Sequence, residues 1–166
     1  ARVVQENLGY GTDEDFWQSS RALLLVHGLG ADAATFSNPG GLRDAMKQRF
    51  DHIAIFQYRT GSDVATSGTK LAQLIEANAG AGFRCSIVAH SLGGLVARYA
   101  IEHFPDTVAT RTEALVTLST PHAGADHDLL FAAWGVLPCN GSQPYLESGL
   151  DLPSAIVPEP PYFLVG

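Results

Sequence analysis

The chain has 166 residues, 46% hydrophobic and 16% charged, which is the make-up of an ordinary globular protein and length enough for one domain, 1–166. Its 10 basic and 17 acidic residues leave a formal charge of −7, which argues against nucleic acid or an anionic membrane surface as the main partner and favours an uncharged or weakly charged substrate. No apolar run reaches the ~20 residues needed to cross a bilayer, and a chain of this size buries roughly 70% of its unfolded surface without a disulfide framework.

Residues 1–20 are polar, with Asp13, Glu14 and Asp15 together, and read as irregular. Residues 21–27 (RALLLVH) form an unbroken apolar run halted by Gly28-Leu29-Gly30, the mark of a buried strand. Leu42, Ala45, Met46 and Phe50 then recur at helical spacing, and residues 52–58 (HIAIFQY) give a second strand. Val64, Gly68, Leu71, Ala72, Ile75 and Ala79 mark the next helix, stopped by Gly80 and Gly82. Residues 83–89 are a third strand. Leu92, Leu95, Val96, Tyr99 and His103 mark a third helix, which Pro105 closes, and residues 113–119 are a fourth strand. Strands alternating with helices imply βαβ units, hence a mostly parallel sheet with helices on both faces. The near-continuous apolar strands agree, since parallel strands are buried on both sides.

After Pro121 the alternation stops. Residues 123–159 are expected to form an irregular insert, and residues 161–165 (PYFLV) a fifth strand, after which the chain ends at Gly166. The chain starts at Ala1 without a basic-then-apolar leader, so it reads as a processed or excised product. Cys85 lies in a strand and reads as a small buried hydrophobe, while Cys139 lies in a loop. Asn140-Gly141-Ser142 fits a glycosylation sequon, which has meaning only in a eukaryotic secretory setting.

The stretch Ile87-Val88-Ala89-His90-Ser91-Leu92-Gly93-Gly94 carries the chemistry. A strand ends at Ala89 and a helix starts after Ser91, so the turn between them forces the serine into strained geometry with its hydroxyl above the sheet. The residues two before and two after it must be small, and Ala89 and Gly93 are. The bland alternative is a strand–helix junction with a capping serine.

The succession of a strand ending in His27-Gly28, then A-H-S-L-G-G, then T-P-H-x-G resembles the lipase branch of the α/β-hydrolases, over residues 21–124. Ala89 departs from the more common glycine, as it does in some bacterial lipases. The resemblance implies a truncated α/β-hydrolase fold, Ser91 as catalytic nucleophile, and an oxyanion hole of the Leu29 and Leu92 N–H groups. It also implies a small-molecule or lipid ester as substrate, no cofactor, and a secreted or cell-envelope setting. Read without it, His27-Gly28 is simply a strand end and turn.

His27, His90 and His122 are expected as walls of the site. His90 is read as a wall and not as the base, since adjacent residues in so sharp a turn point apart, and in similar lipases the T-P-H turn lines the site without supplying the base. His52 and His103 sit at element edges and are expected in solvent. His122, Asp126, His127 and Asp128 make a cluster of metal-ligand residue types; a zinc or calcium site is the alternative to the favoured reading, a polar loop without metal in which Asp126 or Asp128 is a helix N-cap. Phe131 and Trp134, in the apolar patch 129–137, are candidates for a lid or acyl pocket making transient contact with a lipid interface, or equally for ordinary core.

In this fold the triad runs Ser, then Asp or Glu, then His. The acid follows a strand equivalent to residues 161–165, so acid and base are expected beyond Gly166, in a missing C-terminal segment. Asp151 precedes that strand, on the wrong side. The leading expectation is a carboxylic-ester hydrolase working through an acyl-enzyme. The rivals are an acyltransferase or thioesterase on the same scaffold, or a non-catalytic fragment lacking the triad Asp and His.

Overall fold

The computed structural model describes residues 2–4, 13–36, 40–123 and 162–165. In chain order these form β1 (Arg2–Val4), α1 (Asp13–Gln18), β2 (Ala22–Val26), α2 (Leu42–Met46), β3 (His52–Gln57) and α3 (Val64–Asn78). They continue as β4 (Cys85–His90), α4 (Leu92–His103), β5 (Thr112–Leu118) and β6 (Tyr162–Val165). The strands make one six-stranded sheet in the order β1-β3-β2-β4-β5-β6. The five expected strands are all present and mutually parallel, and the sixth, β1, runs antiparallel along β3.

Residues 1–20 are therefore not irregular throughout, as their polar composition suggested. Besides β1 they hold α1, in which Phe16 and Trp17 are buried and pack with tilted rings on Phe83, at centroid distances of 5.5 and 5.3 Å. The Gly80 N–H donates to the Trp17 carbonyl at 2.9 Å, so the glycine that ends α3 also docks α1.

All five residues of β2 are buried, and their alternation splits the core in two. Ala22, Leu24 and Val26 face α1, α3 and α4, packing with Phe16, Leu71, Ile75, Leu92, Leu95 and Val96. Leu23 and Leu25 face the other way with Ile53, Ile55, Val88 and Phe36, against partly buried Leu42, Met46 and Phe50. Each fully buried Leu or Ile contributes about 1.5–3 kcal/mol of transfer free energy. Helices thus cover both faces of a parallel sheet, and the loops of interest gather at its carboxyl edge.

α3 and α4 end where the sequence expects, before Gly80 and before Pro105. Asp63 caps α3, its Oδ1 accepting from the Thr66 N–H at 2.6 Å and its Oδ2 from the Thr66 hydroxyl at 2.7 Å. At Gly68 a Cβ would stand 2.6 Å from Tyr99 Cδ1, so a glycine there lets α3 and α4 close on one another. The helix at Leu42 is shorter than its apolar spacing suggests: it stops at Met46, and Phe50 lies beyond it, in a turn closed on the Met46 carbonyl. His103 is exposed and stacked on Tyr99, whereas His52 is half-buried, because it opens β3 beside Ala22 of β2. The expected insert, apart from Ala123, lies outside the described residues, and so do Phe131, Trp134 and Cys139.

Candidate active site

Parallel pairing of β2 with β4 sets Val26 beside Ala89, so both strands run out together into His27-Gly28 and His90-Ser91. Ser91 takes φ 53° and ψ −127°, a left-handed conformation in which a non-glycine residue costs about 1–3 kcal/mol. It persists because both its peptide groups are held. The Ser91 N–H donates to the Leu118 carbonyl at 2.9 Å. The Ser91 carbonyl accepts from the Gly94 N–H at 3.0 Å and from the Thr120 hydroxyl at 3.0 Å. Strand and helix nearly collide behind it: a Cβ on Gly93 would lie 2.5 Å from the His27 carbonyl oxygen and 2.6 Å from that of Val26. Ala89 has no exposed surface.

Gly28 lies directly against this turn. A Cβ there would stand 2.9 Å from Ser91 Cβ, 2.9 Å from His90 Nδ1 and 3.1 Å from the His90 carbonyl oxygen. The loop that follows is pinned by Gly30 N–H donating to Thr60 Oγ1 at 3.3 Å and Ala31 N–H to the Gly28 carbonyl at 3.3 Å. Leu92 is the first residue of α4, so its N–H has no acceptor within the helix. Ser91, Gly28-Leu29 and the start of α4 are therefore brought to one place.

His27 is wholly buried and serves this loop from beneath. Its ring stacks on Tyr58 at 4.5 Å, and the Tyr58 hydroxyl donates to the His27 carbonyl at 2.8 Å. The Tyr58 N–H points at Nε2 at 3.4 Å, which makes Nε2 the acceptor and leaves the proton on Nδ1. Nδ1 then donates to the Gly28 carbonyl at 3.1 Å. In a trans peptide that carbonyl and the Leu29 N–H point opposite ways, so the ring fixes the direction of the Leu29 donor. Burial holds the His27 pKa below the usual imidazole value, against smaller raising effects of the Gly28 hydrogen bond and Asp32. Burial likewise raises the Tyr58 phenol, so both rings stay neutral.

His90 is half-buried, packed beside Gly28. His122 is committed elsewhere. Arg98 Nη1 donates to its Nδ1 at 2.8 Å, since a guanidinium can only donate, and its Nε2–H faces Thr117 Oγ1 at 3.0 Å. Burial, and then the Arg98 charge, depress its pKa. Arg98 is paired in turn with Glu102 at 3.2 Å. Among the described residues no three His, Cys, Asp or Glu side chains gather as metal ligands; Asp126, His127 and Asp128 lie outside them.

Tyr58, Arg98, Thr117 and Thr120 complete this region without having been singled out in the sequence. Thr120 stands in the T-P-H motif and could have been flagged there. The other three carry no local signal, because their partners are 5 to 31 residues away.

Solved structures share this architecture at low identity. The mature form of the Bacillus licheniformis lipase BlEst2 superposes with a TM-score of 0.61 at 23% identity, over 76% of this chain and 54% of that one. YbtT, a type II thioesterase of yersiniabactin biosynthesis, gives 0.63 at 14% identity, over 99% and 77%. Aspergillus fumigatus lipase B gives 0.58 at 19%, over 74% and 28%. The chain thus spans about half of the Bacillus lipase and less of the Aspergillus one. No curated protein matches. The parallel sheet, its helices and these likenesses make the fold that of an α/β-hydrolase. A family model described as "Domain of unknown function (DUF7379)" matches residues 4–127, and the chain belongs to that family.

Proposed function

We propose that this chain carries the nucleophile and oxyanion hole of a serine hydrolase acting on carboxylic esters. The observation that carries the reading is the strained backbone of Ser91 at the β4–α4 junction, packed against Gly28. A serine placed there for capping alone needs neither the strain nor the neighbouring glycine. Ser91 Oγ attacks the acyl carbon, and the ester C=O becomes an oxyanion beside the Leu29 and Leu92 N–H groups. The alkoxide leaves with the proton taken from Ser91 by a general base, and water later releases the acyl group from Ser91. Both ring nitrogens of His122 are already engaged, which makes it a poor base, and the general base is expected from outside the described residues. The neighbours are called a lipase and a type II thioesterase, which makes a carboxylic ester and a thioester the two candidates to compare.

The test is turnover of p-nitrophenyl esters and of an acyl thioester by the full-length protein. Ester hydrolysis that falls by about a millionfold in Ser91→Ala is expected, the order seen when a triad serine is lost. Activity unaltered by that substitution would end the proposal, and exclusive thioester turnover would move it to a thioesterase.

A further inference from the structure

The last residue of β5 and the segment after it grip the turn that bears Ser91. The Leu118 carbonyl takes the Ser91 N–H, and two residues later the Thr120 hydroxyl donates to the Ser91 carbonyl at 3.0 Å. Ser119, between them, is the other described non-glycine residue with positive φ, at 50°. The backbone on both sides of this contact is held in an uncommon shape.

A second feature points to the same contact. Gly93 already supplies the small residue that the approach of β4 and α4 demands, yet another glycine follows it. A Cβ on Gly94 would fall on Thr120 Oγ1, with Thr120 Cγ2 at 2.6 Å and Cβ at 2.8 Å. The room left by the missing side chain at Gly94 is filled by Thr120.

We propose that Thr120 is a positioning residue for the oxyanion hole, and that position 94 is glycine so that the Thr120 hydroxyl can reach the Ser91 carbonyl. The inference rests on the reading of Ser91 as nucleophile. The Ser91 carbonyl and the Leu92 N–H belong to one planar trans peptide and point opposite ways. A hydrogen bond that holds the carbonyl therefore aims the N–H. Thr120 touches no reacting atom; it acts through the peptide that carries the donor. The contact also joins β5 to the start of α4, so a shift of the turn 119–122 would be felt at the donor. That turn is moored in its own right by His122, through Thr117 and Arg98.

The experiment compares Thr120→Val, Thr120→Ser and Gly94→Ala in the full-length protein. It measures kcat and KM for a p-nitrophenyl ester and the rate of Ser91 phosphonylation by a fluorophosphonate, below each variant's thermal midpoint. Val removes the hydroxyl and keeps the shape, so kcat and the labelling rate should fall ~10–100-fold with KM little changed, the scale of a displaced donor. Thr120→Ser should restore most of both. Gly94→Ala keeps the hydroxyl but pushes it aside, so it should slow both rates like Thr120→Val, although alanine favours the helix. If Thr120→Val does not fold, Gly94→Ala and Thr120→Ser decide. Wild-type rates in folded Thr120→Val or Gly94→Ala, or a Thr120→Ser as slow as Val, would overturn the inference alone. A wild-type protein unlabelled at Ser91 would overturn the parent reading and this inference with it.

Discussion

Gly28→Ala probes the contact on which the candidate site is built. The new Cβ would stand 2.9 Å from Ser91 Cβ and 3.1 Å from the His90 carbonyl oxygen. Carbon atoms in contact prefer about 3.5–4.0 Å, so the two sides must part by roughly 0.6–1 Å. The His90 ring, 2.9 Å away, can turn aside. The Ser91 backbone cannot, because its N–H and carbonyl are both held. The loop 28–31 is then the part that retreats, and it takes the Leu29 N–H with it. Overpacking of this kind costs about 1–3 kcal/mol of stability, and each kcal/mol lowers the thermal midpoint of a domain this size by roughly 2–4 °C. The effect on rate is larger: a displacement near 1 Å costs ~10²-fold, and loss of an oxyanion donor ~10²–10³ in kcat. Steady-state hydrolysis of a p-nitrophenyl ester by the full-length variant, assayed below its midpoint, should show kcat down about a hundredfold with KM little changed. A folded Gly28→Ala protein with wild-type kcat would refute the placement of the oxyanion donor on this loop.

Phe16→Ala should destabilise by about 3–5 kcal/mol, since the ring is 1% exposed and packs on Trp17 and Phe83; a denaturant midpoint unchanged by it would contradict the docking of α1. Cys85 should resist Ellman's reagent in the native protein and react fully once unfolded, because burial pushes its thiol up to about 12 and leaves no path for the reagent. His27 and His122 both have depressed native pKa values, so below pH ~6.5 the unfolded chain binds protons that the native state refuses. Stability should be full above that pH and fall as pH drops through the native values. Urea midpoints at about pH 7.5 and pH 5 should show the loss, and His122→Gln should lessen it; an equal loss in that variant would exclude His122 as a contributor.

Much of this architecture is legible in the sequence, for a physical reason. Parallel strands buried on both faces must be largely apolar, and Ala22–Val26 and Ile87–Ala89 are, although Ser86 interrupts the pattern of β4. Ser91 is legible because a strand–turn–helix around a serine between small residues has few other uses. The segment Arg2–Val4 is too short to show a period, and Phe16-Trp17 sits in an acidic stretch whose partner, Phe83, is far along the chain. The stack of His27 on Tyr58 depends on the alignment of β2 with β3, which pairs Val26 with Phe56 and which no local pattern encodes. Thr120 is visible as a letter of a motif, but its hydrogen bond to Ser91 exists only once β5 lies beside β4.

The central claim is that Ser91 is an activated nucleophile, and mapping a fluorophosphonate adduct on the full-length protein by mass spectrometry tests it most directly. A single adduct on the Ser91 hydroxyl, absent from Ser91→Ala, is the expected result. An adduct on another residue, or labelling undiminished in Ser91→Ala, would contradict it.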